Sequence, residues 1–342
     1  MSWIALDIGG ANLKIADAGD FAQTRPFALW RHPDQLTHEL RDALAAAPPS
    51  THVAVTMTGE LADCFATKRD GVCAILDAVE AAAAGRHQRV YLTDGKLVSP
   101  AVARLDPARA AAANWHALAS FSRRFVTNAS GLLIDVGSTT TDLILVGAEG
   151  PLATGTTDTE RLCHDELVYT GVERTPICAL VDRVPYRRQA CRVAAEYFAT
   201  TGDVYLILGF LPEEPTHKET ADGRPATKGN ARDRLGRMIC ADNEEFHHRD
   251  AAVIAQAVAE QQCDLVVEAL QRVCERRVPR PRQFVVSGKG EFLAKKAVAA
   301  FDGGQNQRLQ IGLGARSGPC LGAQGDFVVI APGADEDGSA AR

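Results

Sequence analysis

The residues with the clearest chemical meaning form two short runs. In Asp7-Ile8-Gly9-Gly10-Ala11-Asn12-Leu13-Lys14, a carboxylate ends an apolar run, two glycines make a turn, and an amide and an amine lie just beyond. Leu132-Leu133-Ile134-Asp135-Val136-Gly137-Ser138-Thr139-Thr140-Thr141-Asp142 repeats the pattern, with hydroxyls after the turn. The backbone N–H groups of such a turn converge on one spot and suit phosphate oxygens. Gly9, Gly10 and Gly137 offer no side chain to block the approach, and Asn12, Ser138, Thr139 and Thr140 add polar groups. Asp7 and Asp135 suit Mg²⁺, which takes a few carboxylates together with water and phosphate. Lys14 can offset phosphate charge. A third glycine turn, Ser287-Gly288-Lys289-Gly290, follows a later apolar run and suits a nucleotide or a second ligand segment. One Asp-x-Gly is an ordinary hairpin turn; two, with a third glycine turn, point to a polyphosphate site.

Other residues have plainer readings. Asp142 is either catalytic or a pairing carboxylate near its strand, and an outward Lys14 on a strand is ordinarily just solvated. His247-His248, with Cys240 and Asp242, fits no standard zinc spacing and reads as a polar helix flank. The nine cysteines are scattered and include no Cys-x-x-Cys pair, which suits reduced thiols. There is no Gly-x-Ser-x-Gly, so a hydrolase triad has no support.

The surrounding elements alternate strand and helix. Trp3–Asp7 and Leu13–Ala16 read as a hairpin, Thr24–Trp30 as a third strand and Asp34–Ala47 as a helix ended by Pro48-Pro49. His52–Thr56 is a strand that delivers the polar loop Met57–Asp63, the kind of loop on which α/β proteins place ligand contacts. Gly71–Ala84 and a helix from Asp106-Pro107 through Ser122 flank a strand at Arg89–Thr93. In the second half, Arg188–Ala199 reads as a helix and Val204–Leu208 as a strand. Leu211–Lys228 is a long polar loop suited to facing a substrate. Arg232–Ile239 and Arg249–Arg276 read as helices, Gln283–Val286 as a strand, Phe292–Ala300 as a helix and Arg308–Ile311 as a strand. The expected fold is α/β: two lobes at 1–127 and 128–332 with a duplicated core and a central cleft, then a disordered tail at 333–342.

With 342 residues, 46% of them hydrophobic, the chain has ample core. A net charge of -6 argues against nucleic acid as partner. No apolar run approaches the ~18 residues of a membrane span, and no signal peptide is evident, so the expected location is cytoplasmic, with no membrane partner.

The two phosphate-type turns and the late glycine turn resemble those of the actin, heat-shock ATPase and sugar-kinase superfamily, whose lobes have a ribonuclease H-like fold. Within it, the two Asp-x-Gly runs are most similar to the hydantoinase/oxoprolinase branch. Thr56–Asp63, Leu167–Val172 with Arg174-Thr175-Pro176, and Thr220–Ala226 narrow the resemblance to short, single-chain proteins of tetrahydromethanopterin-linked one-carbon metabolism. It implies a transferase of alkyl or aryl groups other than methyl. In that reaction an aminomethyl-furanmethyl diphosphate condenses with γ-glutamyltyramine, releasing diphosphate, in methanofuran-type cofactor biosynthesis. The alternative is an ATP-dependent kinase or ATPase. Asn12 stands where many ATP-using relatives carry Ser or Thr, which turns the reading toward a diphosphate leaving group. On this basis Asp7 and Asp135 hold Mg²⁺. Gly9, Gly10, Asn12, Gly137, Ser138, Thr139, Thr140 and Gly288 bind phosphate. Lys14 assists, Asp142 or Asp222 serves as base, and Arg174 and Arg224 hold the glutamyl carboxylates. Whether ATP binds and whether the chain forms a homo-oligomer are left open; the partner is a small phosphorylated molecule.

Overall fold

The structure, a computed structural model, describes residues 2–127, 130–277 and 280–301 and the backbone of strand 309–312. In chain order, strands β1 (Trp3–Ile8), β2 (Asn12–Asp17) and β3 (Ala22–Pro26) lead to helix α1 (Leu36–Ala46). β4 (His52–Met57), α2 (Lys68–Ala82), β5 (His87–Tyr91) and β6 (Leu97–Val98) follow, then α3 (Pro100–Ala103), α4 (Pro107–Ala110) and α5 (Asn114–Ser122). Next come β7 (Ser130–Val136), β8 (Thr141–Gly147), β9 (Gly150–Pro151), α6 (Asp158–Cys163) and β10 (Leu167–Val168). The hairpin β11 (Arg183–Tyr186) and β12 (Gln189–Arg192) precedes α7 (Thr201–Leu208), α8 (Lys228–Arg237) and the long α9 (His248–Glu275). β13 (Gln283–Ser287), α10 (Glu291–Phe301) and β14 (Leu309–Gly312) complete the described chain.

The chain divides into two compact units. The first runs to Gly131 and also takes in Val146–Arg161; the second comprises Leu132–Leu145 and Leu162–Ile311. The change of unit at Gly131 lies beside the boundary expected near residues 127–128. The return of Val146–Arg161 to the first unit is a non-linear feature that no single boundary expresses. The expected tail at 333–342 lies outside the described residues.

In the first unit the sheet order is β3-β2-β1-β4-β5-β6. β1, β2 and β3 pair antiparallel, while β4 and β5 join parallel to β1. In the second unit the order is β10-β8-β7-β13-β14. Here β10 runs antiparallel to β8, and β13 parallel to β7. Each sheet thus places its first strand between its hairpin partner and a later parallel strand. This third–second–first–fourth–fifth order, present twice, is the duplicated ribonuclease H-like arrangement expected of an actin-like protein. β7 carries Leu132, Leu133 and Ile134 with no exposure, and β8 is buried throughout, as central strands covered on both faces must be. The first core gathers Ile4, Leu6 and Ile8 with Val53, Val55, Leu40 and Val72. The second gathers Leu132, Ile134, Leu143 and Val286 with Ile254, Val258 and Val266 of α9.

Four expected elements differ. The third strand ends at Pro26 instead of reaching Trp30, because the N–H groups of Phe27 and Leu29 bond to Ala11 and Gly10 in the first glycine turn. The helix expected through Ser122 is split into α4 and α5, where Ala112 adopts a φ of 48° that an α-helix does not accommodate. Arg188–Ala199 is not a helix. Arg187 and Arg188 take φ values of 46° and 68°, turning the chain so that Gln189 pairs with Tyr186 in a hairpin. Val204–Leu208 is helical, not extended. Thr200 and Asp203 form a capping box, and Gly209 ends α7 at a φ of 79°. A five-residue apolar run suits either state, so the caps decide.

Candidate functional site

In the first unit, β1 and β2 pair with Asp7 opposite Lys14 and Ile8 opposite Leu13. The turn closes when the Gly9 N–H donates to the Asn12 carbonyl at 2.9 Å. The loop after β4 braces it: the N–H groups of Thr58 and Gly59 both donate to the Ile8 carbonyl, at 2.9 and 3.0 Å. A Cβ on Gly59 would stand 3.1 Å from the Gly9 carbonyl carbon and 2.7 Å from Leu29. Gly10 is open, with nothing within 4 Å of where a Cβ would be. Asp7 accepts from Thr56 Oγ1 at 3.2 Å and lies 3.6 Å from Lys14 Nζ. Its side chain keeps 24% of its surface in solvent. Lys14 is therefore paired with a carboxylate, not free on a strand face.

The second unit builds the same device. Gly137 N–H donates to the Thr140 carbonyl at 2.8 Å. The loop after β13 braces it through Gly290 N–H, which donates to the Val136 carbonyl at 2.8 Å. Gly288 has a φ of 87°, and a Cβ there would lie 2.3 Å from the Val136 carbonyl oxygen and 2.8 Å from Asp135 Oδ1. Only glycine leaves this carboxylate clear. The segment after β10 clasps the other side of the turn. Val172 N–H donates to Gly137 O, and Glu173 and Arg174 N–H to Ser138 O, each at 3.0 Å. Lys289, in the third glycine turn, reaches Glu173 at 3.0 Å.

Behind the clasp lies a buried polar network. The Tyr205 hydroxyl donates to Gln262 Oε1 at 2.6 Å, and Gln262 Nε2 donates to Thr170 Oγ1 and Gly171 O at 2.8 Å each. Thr175 Oγ1 accepts from Gly171 N–H at 2.9 Å, and Thr201 donates to Gly171 O at 2.8 Å. Sequence reading missed these residues, because an isolated Gln in a helix carries no signal of its partner 91 residues away.

The remaining expected residues divide. Arg174 is brought to the turn by its own backbone bond to Ser138 and carries an exposed side chain. Asp142 is buried at the head of β8, opposite Leu167. Asp222 and Arg224 belong to a different constellation. Asp222 meets Arg224 at 2.6 Å, Arg234 at 3.0 Å and Arg237 at 3.3 Å, while Arg234 also bonds Asp203 at 2.6 Å. Burial pushes the Asp222 carboxyl up, but hydrogen bonds from Arg224 and Arg234 outweigh it and hold it at about 2. Such a carboxylate is too weak a base for a phenol. Arg224 also bonds Asp233 at 3.1 Å, so it ties the long loop to α8 instead of offering a free fork for a substrate carboxylate. His247 caps α9 through Asp250, consistent with a polar helix flank.

Glu60 is the group the sequence reading passed over. It follows Gly59 directly, is 1% exposed, and its Oε2 is buried without a hydrogen-bond partner. Burial, with a smaller push from Asp158, raises its carboxyl to about 7.

Asp7 and Asp135, one in each unit, are of the carboxylate type that Mg²⁺ takes. The first is partly exposed beside an open glycine turn, and the second lies where a Cβ on Gly288 would crowd it at 2.8 Å.

The family profile described as hydantoinase/oxoprolinase matches residues 51–304. A protein of Methanocaldococcus jannaschii is 33% identical over 304 residues, covering 87% of this chain and 89% of its own length. One of Methanococcus vannielii is 34% identical over 168 residues, covering 49% of this chain and 74% of its own length. Both are named (4-{4-[2-(gamma-L-glutamylamino)ethyl]phenoxymethyl}furan-2-yl)methanamine synthase. Among solved structures, nucleotide-free acetone carboxylase aligns over 88% of this chain and 67% of its own, at 12% identity and a TM-score of 0.45. The extent of the profile match and the identity to full-length relatives show that the chain belongs to the hydantoinase/oxoprolinase family.

Proposed function

We propose that this protein is an enzyme of methanofuran-type cofactor biosynthesis that joins an aminomethyl-furanmethyl diphosphate to the phenol of γ-glutamyltyramine. The observation that carries this reading is the pair of braced turns. Gly9 to Asn12 and Gly137 to Thr140 have the same hydrogen bond, each two residues after an Asp, in a chain homologous to synthases of that name.

The phenol oxygen forms a bond to the furan CH₂ carbon, and the bond from that carbon to the diphosphate oxygen breaks, its electron pair leaving with diphosphate. In the second unit the turn N–H groups and the hydroxyls of Ser138, Thr139 and Thr140, with Gly288 beside them, suit diphosphate oxygens, as Gly9, Gly10 and Asn12 of the first unit suit phosphate. Donors fixed in advance where charge develops are an effective source of rate. Asp7 in the first unit and Asp135 in the second are the carboxylates that would hold Mg²⁺, which would offset charge on the leaving group. Lys14, 3.6 Å from Asp7, keeps that carboxylate oriented and adds positive charge beside the first turn. Arg174, fixed at Ser138, is the cation that takes a carboxylate or phosphate end of a substrate. Asp142, buried at the head of β8, is the candidate base. A cytoplasmic location goes with this reading; among the described residues no helix is long and apolar enough to cross a membrane.

The test is direct. Pure protein with Mg²⁺, the furan diphosphate and γ-glutamyltyramine is expected to release diphosphate in step with ether formation. Steady ADP release from Mg-ATP, with no ether formed, would replace this reading with a kinase or ATPase.

A further inference from the structure

The first unit carries a cation on the strands of its own turn: Lys14 on β2 lies 3.6 Å from Asp7 on β1. The second unit does not repeat this, since neither β7 nor β8 holds a lysine or an arginine. Its turn is braced by two other segments, and each brings a charge. In the segment after β10, the Glu173 N–H donates to the Ser138 carbonyl at 3.0 Å, and the Glu173 carbonyl accepts from the Gly202 N–H at 3.1 Å. In the loop after β13, the Gly290 N–H donates to the Val136 carbonyl at 2.8 Å, and a Cβ on Gly288 would stand 2.8 Å from Asp135 Oδ1. Lys289 sits between those two glycines, and its ammonium meets the Glu173 carboxylate at 3.0 Å. Both charges are therefore mounted on backbone that is hydrogen-bonded to the second turn, and the ion pair joins the two braces. The pair is not what holds the braces, because their backbone bonds do that. It is also open to solvent: the Lys289 side chain keeps 49% of its surface exposed and that of Glu173 33%. Exposed ion pairs contribute little to stability, so this one opens at small cost. A lysine ammonium on its flexible stem can then turn to another anion. A phosphate group, with more charge and more acceptor oxygens than one carboxylate, is the stronger partner.

We propose that Lys289 is the diphosphate-binding cation of the second turn, held by Glu173 when no anion is bound and taken back by Glu173 as diphosphate leaves. The inference rests on the synthase reading above for the identity of the anion. While diphosphate is bound, the Lys289 ammonium offsets its negative charge, which grows as the bond to the furan CH₂ carbon breaks. Afterwards the Glu173 carboxylate competes for the same ammonium, so the product is not retained. The two residues set diphosphate affinity in opposite directions: Lys289 strengthens it and Glu173 weakens it. A pair that served only to tie the two braces together would behave otherwise, since loss of either member would then loosen the turn and weaken binding.

The experiment titrates the full chain with inorganic diphosphate in a calorimeter at one fixed ionic strength, because exposed charges are screened by salt. Lys289→Ala is expected to raise Kd about tenfold, as loss of ~1.4 kcal/mol does, and Lys289→Arg to restore most of the affinity. Glu173→Gln is expected to lower Kd, by up to about fivefold, the upper worth of an exposed ion pair. Both residues are solvent-accessible, and thermal melts of the variants should match wild type. Unchanged affinity in Lys289→Ala, or weaker binding in Glu173→Gln, overturns the assignment, as does a wild type that does not bind diphosphate. Ether formation by the same preparations judges the synthase reading separately. A wild type that forms the ether while Lys289→Ala keeps its diphosphate affinity sinks the role of Lys289 and leaves the synthase standing. A wild type that forms no ether, but whose Kd moves in opposite directions in the two variants, sinks the synthase and leaves the anion site standing.

Discussion

Gly59 and Gly9 are in such close backbone contact that a Cβ on the first would stand 3.1 Å from the carbonyl carbon of the second. The loop after β4 therefore sets the shape of the turn after β1. The second unit uses Gly288 and Gly290 against Val136 in the same way. Gly288→Ala adds a clash with the Val136 carbonyl to a positive φ, so it should cost about 2 kcal/mol or more. Urea unfolding should show a lower midpoint with little change in slope, and diphosphate release should fall further than stability does.

Gln262 is a positioning residue for the second turn. Gln262→Met keeps the volume but leaves the Tyr205 hydroxyl, the Thr170 hydroxyl and the Gly171 carbonyl each one bond short. The expected loss is about 2 kcal/mol. A role confined to stability would leave the kinetics of the folded fraction alone. The expectation here is a raised KM for the furan diphosphate with KM for the phenol unchanged, read from initial rates.

The Asp222 cluster predicts acid sensitivity in a defined window. The Asp222 carboxyl sits at about 2 in the fold against 3.8 when free. A depressed carboxyl stabilises the fold above 3.8, and this is lost as pH falls toward 2. Arg234→Leu removes the fully buried cation that joins Asp203 to Asp222 and should cost about 3 kcal/mol, because a buried carboxylate is left behind. Thermal melts between pH 7 and 3 should show the variant already destabilised at pH 7, with a shallower acid limb than wild type.

Glu60 and His116 tilt stability in opposite directions. Burial holds Glu60 at about 7 against 4.5 when free, so the unfolded chain releases its proton first and stability falls as pH rises from 4.5 to 7. Burial lowers His116 from 6.5 to about 4, and the ring stays neutral beside the Tyr91 hydroxyl at 3.0 Å. The unfolded chain then takes up a proton first, and stability falls as pH drops below 6.5. Glu60→Gln should remove the first slope and make the protein up to about 3 kcal/mol more stable than wild type above pH 7. The difference in unfolding free energy between the two proteins, measured from pH 5 to 8, should grow with pH and then level off.

The two Asp-x-Gly runs were legible from sequence because each is local. An apolar strand, a carboxylate, a glycine turn and a second strand lie within a dozen residues, so the hairpin and its chemistry can be read together. The alternation of strands and helices and the duplicated core were legible for the same reason. Short apolar runs were less so: Val204–Leu208 suits a strand or a helix, and Arg187-Arg188 shows none of the usual marks of a tight hairpin. In both places the backbone follows caps and packing, not the composition of the segment.

The sequence by itself determined the two glycine turns, the family and the layered α/β plan, since these depend on residue type and near-neighbour spacing. Tertiary structure alone decided what surrounds each carboxylate. Asp222 looked available, but it lies among arginines from α8 and its own loop, which hold it ionised. Glu60 looked like one polar residue in a loop, but α2 and the chain at Ala112 close over it and strip away the water that would keep its carboxyl ordinary. A carboxylate's basicity depends on burial and on charges within a few ångströms, and those neighbours are brought together only by the fold.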